Sequence, residues 1–172
     1  VALNGCVGNS CNNKQFGALA TGTKFGCALT PSSYSKSGMV CWGHNSTVNK
    51  LGSGALGDVE RYTPVPVYND QLHTFSQDGF IAVSAGQDHA CGIIADENTL
   101  PLVAGTKVLG AVYCWGSNAN GQLGDNTVTN RPYPIPVIKS DLSKLSGIVS
   151  ISAGDNHTCA VDSTGDLYCW GR

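Results

Sequence analysis

"AGDNHTCAVDSTGDLYCWG", residues 153–171, places two cysteines ten positions apart around a Ser-Thr-Gly turn. The stretch also holds a His, acidic residues and a Trp, so it could be part of a reactive or metal site, or it could be architecture. Repetition decides most of this. Residues 85–92 read "AGQDHACG" and 112–116 "VYCWG"; residues 21–29 read "TGTKFGCAL" and 40–43 "VCWG". The stretch therefore occurs three times, with insertions of different length between its halves. Its first cysteines, Cys27, Cys91 and Cys159, stand 64 and 68 residues apart. A second element follows the first two copies, "ALGD" at 55–58 and "QLGD" at 122–125, then a third, "TPVPV" at 63–67 and "YPIPV" at 133–137. Repeats on this scale point to a solenoid, a propeller or an array.

Composition sets the class. The net charge is −2, only 13% of residues are charged, and there are 22 Gly and 7 Pro. Apolar runs are short and β-branched or aromatic, and turn signals such as "DSTGD" and "NANG" separate them. In "IVSISA", Ile148, Ser150 and Ser152 alternate with Val149, Ile151 and Ala153, the period of a half-buried strand. No window carries a helical stripe with caps, so the chain reads as all-β. Blades of four short antiparallel strands stacked radially make a β-propeller, and about 66 residues per unit suits one blade with generous loops. The divisions expected are residues 1–16, a lead-in loop that ends a preceding blade; 17–80, repeat 1; 81–147, repeat 2; and 148–172, a partial repeat 3.

The ordered elements, AGxxHTCAVxxxGxLYCWGxNxxGQLGDxT followed by PxPV, resemble the regulator of chromosome condensation repeat family across residues 17–172. The resemblance implies a segment of a seven-bladed propeller acting as a protein-binding platform. The cysteines resemble the secreted bacterial branch more than the nuclear exchange factor.

Six of the 8 cysteines fall into local pairs: Cys27 with Cys41, Cys91 with Cys114, and Cys159 with Cys169. Folding "CAVDSTGDLYC" about Ser163–Gly165 sets Ala160 against Tyr168 and Cys159 opposite Cys169, close enough for a cross-strand disulfide. Each such bridge would stabilise by roughly 2.5–3 kcal/mol on the chain-entropy account. Cys6 and Cys11 form the leftover pair. No C-x-x-C zinc pair occurs, and recurring pairs are unlike a lone catalytic thiol. Disulfides imply an oxidising, secreted or extracellular location.

The remaining candidates read as architecture. His89 and His157 are equivalent, but the first copy has Phe25 there, a swap that a metal site would not survive. A buried His with its ring nitrogens satisfied by backbone is expected. Trp42, Trp115 and Trp170 close equivalent strands and read as inter-blade packing. "GSGALG" at 52–57 matches a dinucleotide fingerprint but lies outside any βαβ unit, and Gly54–Gly57 aligns with Gly121–Gly124 as a repeat turn. Asp155, Asp162 and Asp166 surround a turn that recruits Asp for local hydrogen bonds. Asn45 and Asn156 begin N-glycosylation sequons.

Ten Lys+Arg against 12 Asp+Glu, with no basic run, leave no nucleic-acid footprint, and no apolar stretch is long enough to span a membrane. No cofactor, metal or small-molecule substrate is indicated. Two insertions distinguish the copies. One adds about thirteen residues between Cys91 and Cys114, where Leu100, Leu102, Val103, Val108 and Leu109 would form an extra strand pair or contact a partner. The other adds six residues between Trp42 and Asp58, relative to Trp115–Asp125. The function expected is a non-catalytic extracellular protein-binding propeller. The alternatives are a structural subunit of an extracellular fibre or surface assembly, built from copies of itself by blade-edge association, and guanine-nucleotide exchange on a small GTPase. About two and a half repeats do not close a ring, so a piece of a longer propeller is expected.

Overall fold

The computed structural model describes residues 17–30, 38–54, 60–68, 79–95 and 109–172. Among them every regular element is a β-strand, and the strands pair antiparallel. Blade 1 holds β1 (Leu19–Gly22), β2 (Phe25–Leu29), β3 (Met39–His44) and β4 (Glu60–Pro66) in sequential order. Blade 2 holds β5 (Phe80–Ala85), β6 (His89–Ala95), β7 (Gly110–Gly116) and β8 (Arg131–Pro136). Blade 3 holds β9 (Ile148–Ala153), β10 (His157–Asp162) and β11 (Leu167–Gly171). A single residue pair, Gly110 with Ile148, joins the sheets of blades 2 and 3.

The core lies between blades. One cluster sets Phe25, Met39, Leu51 and Val67 of blade 1 against Ala90 and Trp115 of blade 2. The other sets Val112, Leu123 and Val137 of blade 2 against Ile148 and Ala160 of blade 3. A four-stranded blade has two faces and no helix to cover them, so it buries apolar surface by stacking on its neighbours.

The hairpin register is as the sequence indicates. Ala160 pairs with Tyr168 and Cys159 with Cys169 across β10–β11. In β9, Ser150 and Ser152 are exposed while Val149, Ile151 and Ala153 are half-buried. Ile148 departs from the alternation: it is fully buried in the seam with blade 2.

The repeated turn differs from the sequence expectation. It is Lys50–Leu51–Gly52, not Ala55–Asp58, that corresponds to Gln122–Leu123–Gly124. Leu51 N–H donates to Asn45 Oδ1 at 3.1 Å, as Leu123 N–H donates to Asn118 Oδ1 at 3.0 Å. Gly52 and Gly124 both have φ of 66° and both accept at 2.9 Å, from Tyr68 and Ile138 N–H respectively. A Cβ at Gly52 would meet Trp115 Nε1 at 2.7 Å, and one at Gly124 would meet Trp170 Nε1 at 2.9 Å. Only glycine meets both the positive φ and the close approach of the next blade's indole. The first copy is also less extended than expected. Arg61 and Arg131 are equivalent, opposite Gly43 and Gly116. They lie 19 residues after Trp42 and 16 after Trp115, so the excess is three residues rather than six.

Candidate functional site

The cysteine pairs sit at one place in each blade, between its second and third strands. Cys27–Cys41, Cys91–Cys114 and Cys159–Cys169 are bonded, with Cα–Cα separations of 4.1, 4.0 and 4.1 Å. Each pair is directly opposed in the ladder. The first two disulfides are fully buried, whereas Cys169 is exposed and Cys159 half-buried. Cys6 and Cys11 lie outside the described residues, as do Leu100, Leu102, Val103 and Val108. Leu109, at the margin of that insertion, is half-buried.

The aromatic and histidine positions meet at the joints between blades. Trp115 Nε1–H donates to Lys50 O at 3.1 Å, and Trp170 Nε1–H to Gln122 O at 2.8 Å, in each case reaching the repeated turn of the preceding blade. Trp115 is fully buried and packs edge-on against Phe80, with ring centroids 5.9 Å apart. Trp42 is half-buried and lies over Gly26, where a Cβ would come within 3.0 Å of its ring.

His89 Nε2 lies 2.9 Å from Thr158 Oγ1 in the next blade, and Thr158 donates to Gln122 O at 3.2 Å. The single hydroxyl proton goes to that carbonyl, so Nε2–H of a neutral imidazole is the donor to Thr158. His89 Nδ1 is buried with no hydrogen-bond partner. Burial, aided by the nearby His157 and opposed by a smaller raising effect of Asp88, pushes the His89 pKa down to about 4. This corrects the expectation of a histidine satisfied by backbone: one ring nitrogen meets a side-chain hydroxyl and the other meets nothing. His157, its equivalent, is exposed. In the first joint Phe25 shares its buried cluster with Ala90, which holds the place of Thr158. An apolar ring goes with a methyl, and an imidazole goes with a hydroxyl.

A second pair of positions varies in step across the joints. Lys50, buried in the repeated turn, bonds Asp88 Oδ1 at 2.6 Å and Thr23 O at 3.1 Å, with its ammonium 5.4 Å from the Phe25 ring centroid. At the next joint the same places hold Gln122 and Asn156, whose amides face each other at 3.5 Å. Asn45 is 1% exposed and its Oδ1 holds Leu51 N–H, so a glycan on it is incompatible with the folded turn. Asn156 is half-buried at the joint.

A further network was not expected from the sequence. Fully buried Asn118 donates through Nδ2 to Asp125 Oδ1 at 2.9 Å and to Thr127 O at 3.0 Å, while Arg131 Nε donates to Asp125 Oδ2 at 2.8 Å. Burial alone would raise the Asp125 carboxyl, but hydrogen bonds from Thr127, Arg131 and Asn118 outweigh it and hold the pKa below the usual range. The Asp of "QLGD" therefore anchors a loop. Asp162 does the same in the hairpin turn, accepting from Thr164 N–H and Oγ1–H at 2.9 and 2.7 Å. Among the described residues no group of three or more His, Cys, Asp or Glu is placed to hold a metal. No helix among them is long and apolar enough to cross a membrane.

Blades of this strand order, joined face to face by a recurrent indole-to-carbonyl bond, define a segment of a β-propeller. Residues 110–161 match the Regulator of chromosome condensation (RCC1) repeat, and the chain is similar to proteins built from that repeat. It is 31% identical over 142 residues to the ultraviolet-B receptor UVR8 of Arabidopsis thaliana, a match covering 80% of this chain and 26% of the receptor. Among solved structures it resembles Prp20p of Saccharomyces cerevisiae, with 24% identity and a TM-score of 0.61 over 94% of this chain and 32% of that one. It also resembles the ectodomain of the receptor kinase CR4 of Physcomitrella patens, with 19% identity and a TM-score of 0.50 over 96% of this chain and 31% of that one. The chain thus spans about a quarter to a third of these relatives' lengths.

Proposed function

We propose that this chain is part of a non-catalytic, extracellular β-propeller that binds protein. The observation that carries the reading is the placement of three disulfides at equivalent cross-strand positions, one per blade. A reducing compartment would keep such thiols apart, so the repeated pairing suits an oxidising one. The same type of fold is found in the CR4 ectodomain. Binding is supported by how the polar side chains of the repeats are engaged. His89, Lys50, Asp125 and Asn118 hold joints and loops together, and no nucleophile, base and orienting group converge among the described residues. Prp20p is described with its binding properties to Gsp1p and histones. Exchange on a small GTPase is the reading left to that branch of the family.

The test is thiol alkylation of protein taken from its natural source without reduction, followed by peptide mapping, together with labelling of intact cells by an impermeant amine reagent. Bonded Cys27–Cys41, Cys91–Cys114 and Cys159–Cys169 in a surface-labelled or released protein are the expected outcome. Alkylated cysteines at those positions, or protein reached only after lysis, would overturn the extracellular reading. A structural subunit built by edge association is the second reading, favoured by the 67% exposure of Leu167 on β11. Light scattering of the native material separates the two, because an open-ended assembly grows with concentration.

A further inference from the structure

Blades 1 and 2 carry the same turn and the same arginine, but the turn of blade 2 alone supplies that arginine with a carboxylate. In blade 2 the turn is Gly124–Asp125–Asn126, with φ of 66° at Gly124 and 60° at Asn126. In blade 1 it is Gly52–Ser53–Gly54, with φ of 66° and 68° at the glycines. Ser53 therefore stands where Asp125 stands. Arg61 stands where Arg131 stands, the two lying opposite Gly43 and Gly116. Asp125 Oδ2 accepts from Arg131 Nε at 2.8 Å and pairs with its Nη2 at 2.7 Å, while Oδ1 accepts from Asn118 Nδ2 at 2.9 Å. A serine is shorter and uncharged, and the result is plain in blade 1. Ser53 Oγ and Arg61 Nε are both buried, and neither has a hydrogen-bond partner. Among the described residues no carboxylate pairs with Arg61. Its chain neighbour Glu60 alternates to the other side of β4, where Tyr62 Oη donates to it.

We propose that blade 1 binds one small free carboxylate anion, of formate or acetate size, between Arg61 and Ser53. The anion takes the part that the Asp125 side chain plays in blade 2. An arginine nitrogen can only donate, so a buried Nε–H left alone calls for an acceptor, and the charge beside it calls for an anion. A carboxylate matches the edge of a guanidinium with two parallel bonds, and its oxygens have lone pairs to spare for the Ser53 hydroxyl. The size follows from what closes the turn. The Tyr133 ring of β8 packs against Gly54 so tightly that a Cβ there would overlap it. A free anion of a few atoms enters such a place, whereas the acidic side chain of a partner protein would have to bring its backbone with it. The site goes beyond the protein-binding reading and does not depend on it.

The chain holds three arginines, Arg61, Arg131 and Arg172, so the Nε–H resonances of an isotope-labelled sample contain their own comparison. The probe is sodium formate, exchanged for sodium chloride at constant ionic strength. The Arg61 signal is expected to shift and saturate at millimolar formate. Arg131, already bonded to Asp125, should stay in place, and the exposed Arg172 should drift without saturating. Arg61→Gln removes the signal and so assigns it. Ser53→Asp supplies the carboxylate from the chain itself, so its Arg61 signal should lie near the formate-saturated position and no longer respond. Formate at about tenfold excess over Kd should also raise the Tm of the native chain by about 3–6 °C and leave that of Ser53→Asp unmoved. An Arg61 signal indifferent to formate, or moving only in step with Arg172, overturns the proposal. So does an Arg61 signal displaced by Asp58→Asn in the absence of formate, because Asp58 of the chain would then be the acceptor.

Discussion

The pairing of His89 with Thr158 can be tested by a double-mutant cycle whose outcome is built into the chain, because the first joint holds Phe25 and Ala90 at these places. Both His89 and Thr158 are completely buried. Thr158→Ala removes the acceptor of the His89 Nε2–H bond and leaves a buried donor unsatisfied, which costs about 1–3 kcal/mol. Loss of the methyl and hydroxyl volume adds about 1 kcal/mol. Gln122 O keeps its indole bond from Trp170, so no further penalty arises there. His89→Phe loses only the bond, since Thr158 still donates to Gln122 O and Nδ1 had no partner to lose. Its cost is about 1 kcal/mol. The double variant rebuilds the ring-and-methyl combination of the first joint and should cost about 1–2 kcal/mol less than the sum of the singles, the scale on which contacting residues couple. For a chain of this size each kcal/mol moves Tm by about 2–4 °C, so thermal melting of the four proteins resolves the cycle. Additivity within about 0.5 kcal/mol would refute the pairing.

Acid should act through the same ring. The His89 pKa is about 4 when folded against an ordinary value of 6.5, so the unfolded chain binds the extra proton between those values. Stability contributed here is full above pH 6.5, falls as pH drops toward 4, and the loss reaches about 3 kcal/mol. Urea titrations across that window should show the slope for the native chain and a flatter one for His89→Phe, and equal slopes would count against a buried neutral imidazole. At the other half of the joint, Asp88→Asn leaves the buried Lys50 ammonium with carbonyl partners only, a loss of about 1–2 kcal/mol once the part exposure of Asp88 is discounted. Lys50→Gln combined with Asp88→Asn copies the Gln122–Asn156 pair and should recover part of that loss in denaturant melts. A double variant as unstable as the sum would mean that the two residues act independently.

What could be read from the sequence was local. "CAVDSTGDLYC" has a turn short enough to leave one register, so the opposition of Cys159 and Cys169 follows from counting. The repeated turn was misplaced because two Leu-Gly runs, at 51–52 and 56–57, compete, and only the second is followed by Asp. Letter similarity to "QLGD" favoured the wrong one. Spacing would have chosen correctly: Leu123 lies eight residues after Trp115, Leu51 nine after Trp42, and Leu56 fourteen. The next blade's indole needs a carbonyl at that distance, which letters do not express. The partners of His89 and Lys50 were hidden for a related reason. Thr158 and Asp88 lie 69 and 38 residues away and belong to the next copy, so matching positions within one copy never brings them together. The signal was a variation in step between neighbouring copies, Phe25 with Ala90 and His89 with Thr158. The Asn118–Asp125–Arg131 network was legible only as a recurring string whose members had no assigned task.

A row of near-identical parts poses an ordering problem, because the front of any blade resembles the front of every other. Misassembly between similar units is a characteristic failure of repeat proteins. The joints described here are keyed differently. The first fits a cation to a carboxylate and an aromatic ring to a methyl group. The second fits two amides to each other and an imidazole to a hydroxyl. Blade 1 set directly on blade 3 would place the Lys50 ammonium against the Asn156 amide and the Phe25 ring against the Thr158 hydroxyl, wrong on both counts. The folding chain therefore carries its own assembly order at its seams. A blade grafted from one propeller into another should settle only if the matching half of each key travels with it.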